Sequence, residues 1–492
     1  MVQGVALKES LNIYSVISEE NSDRLDKIAI IYRGVRTTYG ALLKQVEETA
    51  CLLMSCGIQA HDRVALRCPD SAANIILALA LLKIGAVQIP VSFTLPGAEV
   101  RNICEQVSAD ALISPPPLPD GWPPPPEMQR FTCAGEEICL QKLAVQSHII
   151  PGLSELNPAF IRFTSGTTSS SKGVIISHES VLRRTDSANA GLKISSDDTI
   201  LWVLSMAYHF VVTILLFLRK GAAIAICESP AALSMPQLLG SGKITLLYMS
   251  PFHYHLMCES SAFKAAMLEH VRLAVTTAMP MDRDLAEKFH AKFNIRPRQA
   301  YGIIEAGLPC IDLDEKDFKP GVVGRPLPSC ELRIKEPDEN GVGTVMLRTP
   351  GMFDGYLCPF RRREDICEDG FFNTGDLGVI DESGQLVIVG RSKDIINFAG
   401  MKIFPYEVEE FLRSFPAVEN VSVYPVKDAL YGEKPRADVI FKADAGSHDE
   451  LLDKLRKFCY ANLAPYKVPK DFNICDKLEH TASGKVLRRN RP

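Results

Sequence analysis

Arg63-Val-Ala-Leu-Arg67, then Ser71-Ala-Ala-Asn-Ile-Ile-Leu-Ala-Leu-Ala-Leu-Leu-Lys-Ile84-Gly85, then Ala86-Val-Gln-Ile-Pro90 form the stretch that decides the fold. The first run is short and apolar enough for a buried strand. The second is long, starts on a serine that can cap a helix and stops at a glycine, and the third returns to strand composition. A strand, a helix and a strand in that order place the two strands parallel, because a helical crossover is what returns the chain to the same sheet edge. Upstream the pattern repeats, with Ala29-Ile-Ile-Tyr32 as a strand and Thr38–Cys56 as an amphipathic helix closed by Gly57. The fold class is therefore α/β. Downstream, Ser114–Glu127 holds eight prolines and a Gly-Trp pair. That composition suits an exposed polyproline-like loop and forbids a central strand, a ligand for a proline-recognising partner being the alternative.

With 492 residues, 46% of them hydrophobic, the chain can bury a sizeable core and divide into two or more domains. The formal charge is −5 and the pI near 6.1, with Lys and Arg dispersed, so nucleic acid is not an expected partner. The longest apolar runs, Ile75–Leu82 and Phe210–Leu218, fall short of the ~20 residues a membrane span needs and read as buried helix. The first residues show no basic stretch followed by an apolar core and a small-residue cleavage site. The 14 cysteines include no Cys-x-x-Cys pair, and no histidines cluster at metal spacing. These readings predict a cytoplasmic protein.

Beyond Gly390 there are 18 Lys and Arg against 15 Asp and Glu, a net of +3, and the preceding part carries −8. The tail reads as strand Leu386–Val389, helix Pro405–Ser414, strands Val418–Val426 and Ala437–Lys442, helix Asp449–Leu463 and an irregular end after Pro465. About a hundred such residues can form a compact α+β domain. The expected organisation is a large N-terminal domain over 1–390, with parallel or mixed sheets flanked by helices, and a small mobile C-terminal domain over 391–492. Gly390-Arg-Ser-Lys393 is the expected hinge.

Thr164-Ser-Gly-Thr-Thr-Ser-Ser-Ser-Lys-Gly173 lies between the apolar runs Ala159–Phe163 and Val174–Ile176. A Walker loop joins strand to helix and needs Gly at 171 and Ser or Thr at 173, where this chain has Ser171 and Gly173. Five hydroxyls between Thr167 and Ser171, two glycines and Lys172 nevertheless make an anion cradle. A flexible Ser/Gly linker is the plainer alternative, but linkers are seldom set between two apolar strands.

Four more clusters follow in order: Tyr301-Gly-Ile-Ile-Glu305, Asn373-Thr-Gly-Asp-Leu377, Gly390–Gly400 continuing through Ile403–Glu409, and Thr481-Ala-Ser-Gly-Lys485-Val-Leu-Arg-Arg489. With the Thr164–Gly173 loop, the series resembles the adenylate-forming superfamily: acyl- and aryl-CoA synthetases, adenylation domains of peptide synthetases, and luciferases. The resemblance runs from about Leu11 to Arg489. It implies that Thr164, Ser165, Gly166, Thr167, Thr168 and Lys172 hold the β- and γ-phosphates of ATP. Tyr301, with Gly302, would stack on adenine, and Glu305, with Thr168, would bind Mg²⁺, which prefers carboxylate oxygen. Asp376 would accept hydrogen bonds from both ribose hydroxyls, assisted by Arg391. Lys485 would stabilise charge as the substrate carboxylate attacks the α-phosphate. Lys393 would be the pivot on which the small domain turns, and Gly400 would then help shape a pantetheine channel for the thiol.

Taken singly, these residues have plainer readings: Asp376 as a turn former, Tyr301 as core, Glu305 as a solvated charge and Lys485 as a solvated tail lysine. Two stretches depart from the family pattern. Ser169 and Ser171 stand where most relatives carry Gly and Pro, and Thr276-Thr-Ala-Met-Pro280 replaces a Gly-Gly or Ser-Gly pair before Ala-x-Pro.

The implied reaction forms an acyl-adenylate and pyrophosphate, then transfers the acyl group to a thiol. The acid pocket would be lined by Ser205–Thr213, Ser250–His255, Met279 and Gly302–Pro309, with Tyr208, His209, Gly302 and Gly307 at its centre. Enzymes of the superfamily that take α-amino acids carry an Asp where Tyr208 stands, so a neutral apolar acid, fatty or aromatic, is expected. His209 is either a gate or a satisfied core histidine. Coenzyme A is the expected acceptor, and the phosphopantetheine of an acyl carrier protein is the alternative. From another class, a catalytically idle nucleotide- or acyl-binding homologue would use the same cleft.

Overall fold

The computed structural model describes residues 11–120, 122, 128–143, 150–163, 172–228, 231–314, 318–399, 401–428, 431–443 and 445–479, Lys402 by its backbone only. The chain divides into two compact units. The first comprises Met1–Phe318, Pro326–Glu331 and Arg348–Phe372, and the second Lys319–Arg325, Leu332–Leu347 and Asn373–Pro492.

In the first unit, Arg63–Arg67 pairs in parallel with Val87–Val91 on one side and Ala111–Ser114 on the other. The intervening helix, Ala72–Ile84, begins where the Ser71 hydroxyl accepts the Asn74 N–H at 3.3 Å and ends where Gly85 turns left-handed at φ 81°. Such caps contribute about 1 kcal/mol each. Every residue from Ala72 to Leu82 is buried, which explains a helix that is apolar all round instead of striped. The same sheet continues through Pro158–Arg162 and Val174–Ser177, an antiparallel pair, to Gly355–Tyr356.

A second sheet in this unit runs in the order Val35–Thr38, Ile28–Tyr32, Ala223–Ile226, Thr199–Trp202, Leu246–Met249, Leu273–Thr276, Arg298–Ile303, Gly307–Ile311. Its interior strands are parallel, and its last two form an antiparallel hairpin. The expected helix over Phe210–Leu218 forms only as Ile214–Arg219, and a separate short helix, Met206–His209, precedes it. The Thr213 hydroxyl donates back to the His209 carbonyl, and the β-branched run Val211–Thr213 favours the break. Trp122, in the proline-rich excursion, anchors there by donating from Nε1 to Gln141 Oε1 at 2.7 Å.

In the second unit, one sheet holds Met401–Ile403, Ile396–Phe398, Gly432–Phe441, Val418–Asp428 and Asp471–Ile474. Helices Pro405–Arg413 and His448–Asn462 contribute Val408, Leu412, Leu451 and Leu455 to its core. Asp471–Ile474 pairs in parallel with Gly432–Phe441, where an irregular end was expected; two of its four residues are polar, which hides the strand from pattern reading. Compactness gathers Lys319–Arg325, Leu332–Leu347 and the chain from Asn373 onward into this unit. Among the described residues no helix is long and apolar enough to cross a membrane.

The helix Ile13–Glu20 is fastened at its start by His178, whose Nδ1 accepts the Ile13 N–H at 3.1 Å. That bond needs an unprotonated nitrogen, and burial, with His61 nearby, lowers the imidazole from 6.5 to about 4. A base depressed on folding contributes stability above its unfolded value that is lost as pH falls through the folded one. Between pH 7 and 4.5 this group is expected to cost the fold about 2–3 kcal/mol, at 1.36 kcal/mol per pKa unit. Urea unfolding of wild type and His178→Gln at both pH values isolates the term: the variant should lose less stability on acidification by that amount.

Candidate active site

Strand Pro158–Arg162 carries Arg162 into the interior, where 4% of the residue is exposed. Its guanidinium donates to the Tyr208 carbonyl, and burial lowers it to about 10, so it remains a cation at neutral pH. After the adjoining strand, Ser177 caps helix His178–Leu192 by accepting the Ser180 N–H at 3.0 Å. Asp354 braces that corner, accepting the Ser177 N–H at 2.7 Å and the Ser180 hydroxyl at 3.1 Å.

Further along this helix, Arg184 is buried with its Nε donating to the Gly351 carbonyl at 2.9 Å and its Nη1 to the Ile304 carbonyl at 3.1 Å. A Cβ on Gly351 would stand 2.3 Å from the Arg184 Cβ, so that approach requires glycine. Burial first, then the neighbouring charge of Arg162, lowers Arg184 to about 9.

Glu305 sits in the turn between Arg298–Ile303 and Gly307–Ile311 and is half-buried. Its main-chain carbonyl accepts the Phe353 N–H at 2.7 Å, and its Oε1 accepts the Tyr356 hydroxyl at 3.0 Å. Burial, and then the Glu305 charge, raise the Tyr356 phenol well above its ordinary value, so it acts as a donor. The Lys172 ammonium lies 4.8 Å from the centroid of the Tyr356 ring, in cation–π range. Lys172 and Glu305, two of the predicted nucleotide residues, thus meet on one aromatic side chain that the motifs did not point to.

Tyr301 is half-buried on strand Arg298–Ile303, opposite Cys310. A Cβ on Gly302 would come within 2.7 Å of the Gly307 carbonyl oxygen, and Gly307 is left-handed at φ 81°. Val212 lies within 4 Å of the position a Gly307 Cβ would take, so two of the predicted acid-lining stretches do converge. Tyr208 and His209 are half-buried on the short helix Met206–His209, with the His209 ring 6.4 Å from that of Trp202. Asp70 accepts the Met206 N–H at 2.7 Å, fixing the start of that helix, and burial raises its carboxyl to about 6. Met279 is half-buried and follows Ala278, which is left-handed at φ 71°, a conformation that the usual glycine at such a turn would adopt without strain.

In the second unit, Asp376 and Arg391 are Cα partners on the antiparallel strands Phe372–Ile380 and Leu386–Arg391. Arg391 Nε lies 3.0 Å from Asp376 Oδ1, with Asp376 buried and Arg391 exposed. Thr374, two residues before Asp376 on the same strand, donates to the Val345 carbonyl at 2.8 Å and accepts the Asp376 N–H at 3.0 Å. Lys393 is exposed within the short turn Ser392–Asp394, three residues beyond Gly390, whose φ of 153° leaves its Cβ position in open space. Thr164, Ser165, Gly166, Thr167, Thr168, Ser169, Ser171, Gly400 and Lys485 lie outside the described residues.

Among the described residues no three His, Cys, Asp or Glu side chains converge as a metal cage. Mg²⁺ is commonly held by one or two carboxylates together with substrate phosphates and water, and Glu305 fits that mode. The residues that motif reading missed are Tyr356, Arg162, Arg184, Asp354 and Asp70. A charged residue inside the apolar run Ala159–Phe163 was the one available signal, for Arg162.

Residues 18–357 match the family model described as AMP-binding enzyme, and residues 407–485 the one described as AMP-binding enzyme C-terminal domain. The chain belongs to the AMP-binding enzyme family. More particularly, it is an acid–thiol ligase of the type that forms an acyl-AMP intermediate. It is 27% identical to 4-coumarate–CoA ligase 5 of Oryza sativa subsp. japonica, over 99% of this chain and 95% of that one. It is also 27% identical to 2-succinylbenzoate–CoA ligase of Listeria monocytogenes, over 94% and 95%. Among solved structures, ATP-bound MatB from Rhodopseudomonas palustris shares the fold with a TM-score of 0.82 at 23% identity, over 97% of each chain. The anthranilate CoA ligase AuaEII with anthranoyl-AMP shares it with a TM-score of 0.80 at 20% identity, over 98% of this chain and 96% of that one.

Proposed function

We propose that the chain activates a neutral, apolar carboxylic acid, aryl or fatty, with MgATP and transfers the acyl group to coenzyme A, in the cytoplasm. The observation that carries this reading is the meeting of Glu305 and Lys172 on Tyr356, which sets a carboxylate for the metal beside a cation for the phosphates. When bound, Mg²⁺ would neutralise phosphate charge as pyrophosphate departs, with Glu305 and Thr168 as its protein ligands. Lys172 and the hydroxyls from Thr164 to Thr168 grip the β- and γ-phosphates, Tyr301 and Gly302 face adenine, and Asp376 with Arg391 holds the ribose. Lys485 stabilises the α-phosphate as the acid attacks, and Lys393 serves as the pivot that withdraws it before Gly400 borders the thiol channel. The domain division at 390 and 391 follows from that pivot.

For the acid, Tyr208, His209, Met279, Gly302 and Gly307 line a pocket in which position 208 offers no carboxylate to an α-ammonium group. The full-length likeness to two ligases named for aromatic acids supports the aryl class. Carboxylate-dependent exchange of labelled pyrophosphate into ATP, run over aryl, fatty and amino acids, tests this. Aryl or fatty acids should support exchange at least about tenfold better than amino acids, the difference of roughly 1.4 kcal/mol that leaving an ammonium unpaired exceeds. Preference for an amino acid would overturn the reading, and faster acyl transfer to a phosphopantetheinylated carrier than to coenzyme A would overturn the acceptor.

A further inference from the structure

We propose that Tyr356 is a positioning residue that couples the metal carboxylate to the phosphate cradle, its hydroxyl orienting Glu305 and its ring face seating Lys172. The inference rests on the reading of Glu305 and Lys172 given above. Both contacts come from one side chain: the hydroxyl to Oε1 at 3.0 Å, and the ring centroid to Nζ at 4.8 Å. The ring is 7% exposed and is held by Phe353, 5.0 Å away between centroids, which in turn meets Phe372 at 5.1 Å. A side chain so packed has little rotamer freedom with which to let either partner drift.

The main chain around Tyr356 repeats the connection. Phe353 donates its N–H to the Glu305 carbonyl, and Leu357 donates its N–H to the Gly173 carbonyl, both at 2.7 Å. Between them, Tyr356 pairs with Val174 on the strand that leaves the phosphate loop. A Cβ on Gly173 would lie 3.0 Å from Ile161 and 3.2 Å from Leu357, so glycine is what lets the loop end lie this close. The segment 353–357 is therefore a clip joining the loop end to the turn that bears Glu305.

Tyrosine is the side chain this arrangement requires. Phenylalanine offers the cation a face but the carboxylate no donor, and an aliphatic residue offers neither. Glu305 also lies in the field of the buried cations Arg162 and Arg184, and Lys172 is exposed, so the two groups meet on the ring of Tyr356 and not on each other. A direct pair between them would neutralise both groups that the nucleotide needs.

Calorimetric titration of ATP into the full chain without any acid, at rising free Mg²⁺, tests the coupling in Tyr356→Phe, Tyr356→Leu and Glu305→Gln. Tyr356→Phe should need about ten- to a hundredfold more Mg²⁺ for the same gain in affinity, the loss of one hydrogen bond to a charged group. Its affinity at saturating Mg²⁺ should stay within about twofold of wild type because the ring face persists, whereas Tyr356→Leu loses both. Added to Glu305→Gln, Tyr356→Phe should shift the Mg²⁺ response no further. The inference is overturned if Tyr356→Phe keeps the wild-type Mg²⁺ response while Glu305→Gln loses it, or if Phe and Leu variants lower ATP affinity and melting temperature alike. If Glu305→Gln itself responds to Mg²⁺ as wild type does, the assignment of Glu305 is at fault, and the inference falls with it.

Discussion

Replacing Lys485 with alanine is expected to slow acyl-adenylate formation by about 10²–10³-fold, the usual cost of removing one preorganised group from a developing charge. Thioester formation from a synthetic acyl-adenylate should stay within about threefold of wild type, because an interaction made only in one transition state lowers only that step. The asymmetry follows from the proposed role. A lysine carried to the α-phosphate by a small domain has no task once AMP is the leaving group. Single-turnover measurement of the two half-reactions decides the matter, and an equal loss in both would rule out a lysine that withdraws between them.

Removal of the ribose acceptor should have a comparable effect, on binding instead of chemistry. Asp376 is 4% exposed and accepts from Arg391 at 3.0 Å, so its carboxylate is aimed before any nucleotide arrives. Two hydrogen bonds from ribose hydroxyls to a charged acceptor are worth about 1.5–3 kcal/mol each. Asp376→Ala should therefore raise the KM for ATP by about 10²-fold or more, at 1.4 kcal/mol per tenfold. The released Arg391 is exposed and hydrates, so the melting temperature should move little. Asp376→Asn keeps one acceptor oxygen and should fall between the two. An unchanged KM for ATP in the alanine variant would remove Asp376 from the nucleotide site.

The backbone was legible where local chemistry is strong. The strand Arg63–Arg67 occurs as expected, and the serine and threonine read as starting helices at Ser71 and Thr38 are the caps of Ala72–Ile84 and Tyr39–Ser55. Legibility failed where pattern is short or mixed. Asp471–Ile474 alternates polar and apolar residues over four positions, and its strand identity comes from its neighbour Gly432–Phe441. The latter strand begins at Gly432, five residues before the expected Ala437, because pairing with Val418–Asp428 carries its polar start into the ladder. At the candidate site, motif order pointed to groups that belong to named loops. Tyr356 and Arg184 could not be found that way, since their meaning arises from partners 51 and 167 positions away in the chain.

Arg184 bears on how a lineage built on this fold can drift. Its guanidinium holds the carbonyls of Ile304 and Gly351, while Gly302 presses on the Gly307 oxygen and Gly307 keeps a left-handed backbone. A larger residue at 302, 307 or 351 meets main chain, the Arg184 side chain or a left-handed φ, so substitution there is strained. The stretch from Tyr208 to Val212 is held at its start through the main chain, by Arg162 on the Tyr208 carbonyl, and its half-buried side chains Tyr208, His209 and Val212 meet no such backbone limit. With the acid placed between them as proposed, change in acid preference is channelled to one side, the glycine wall staying rigid while the other is rewritten.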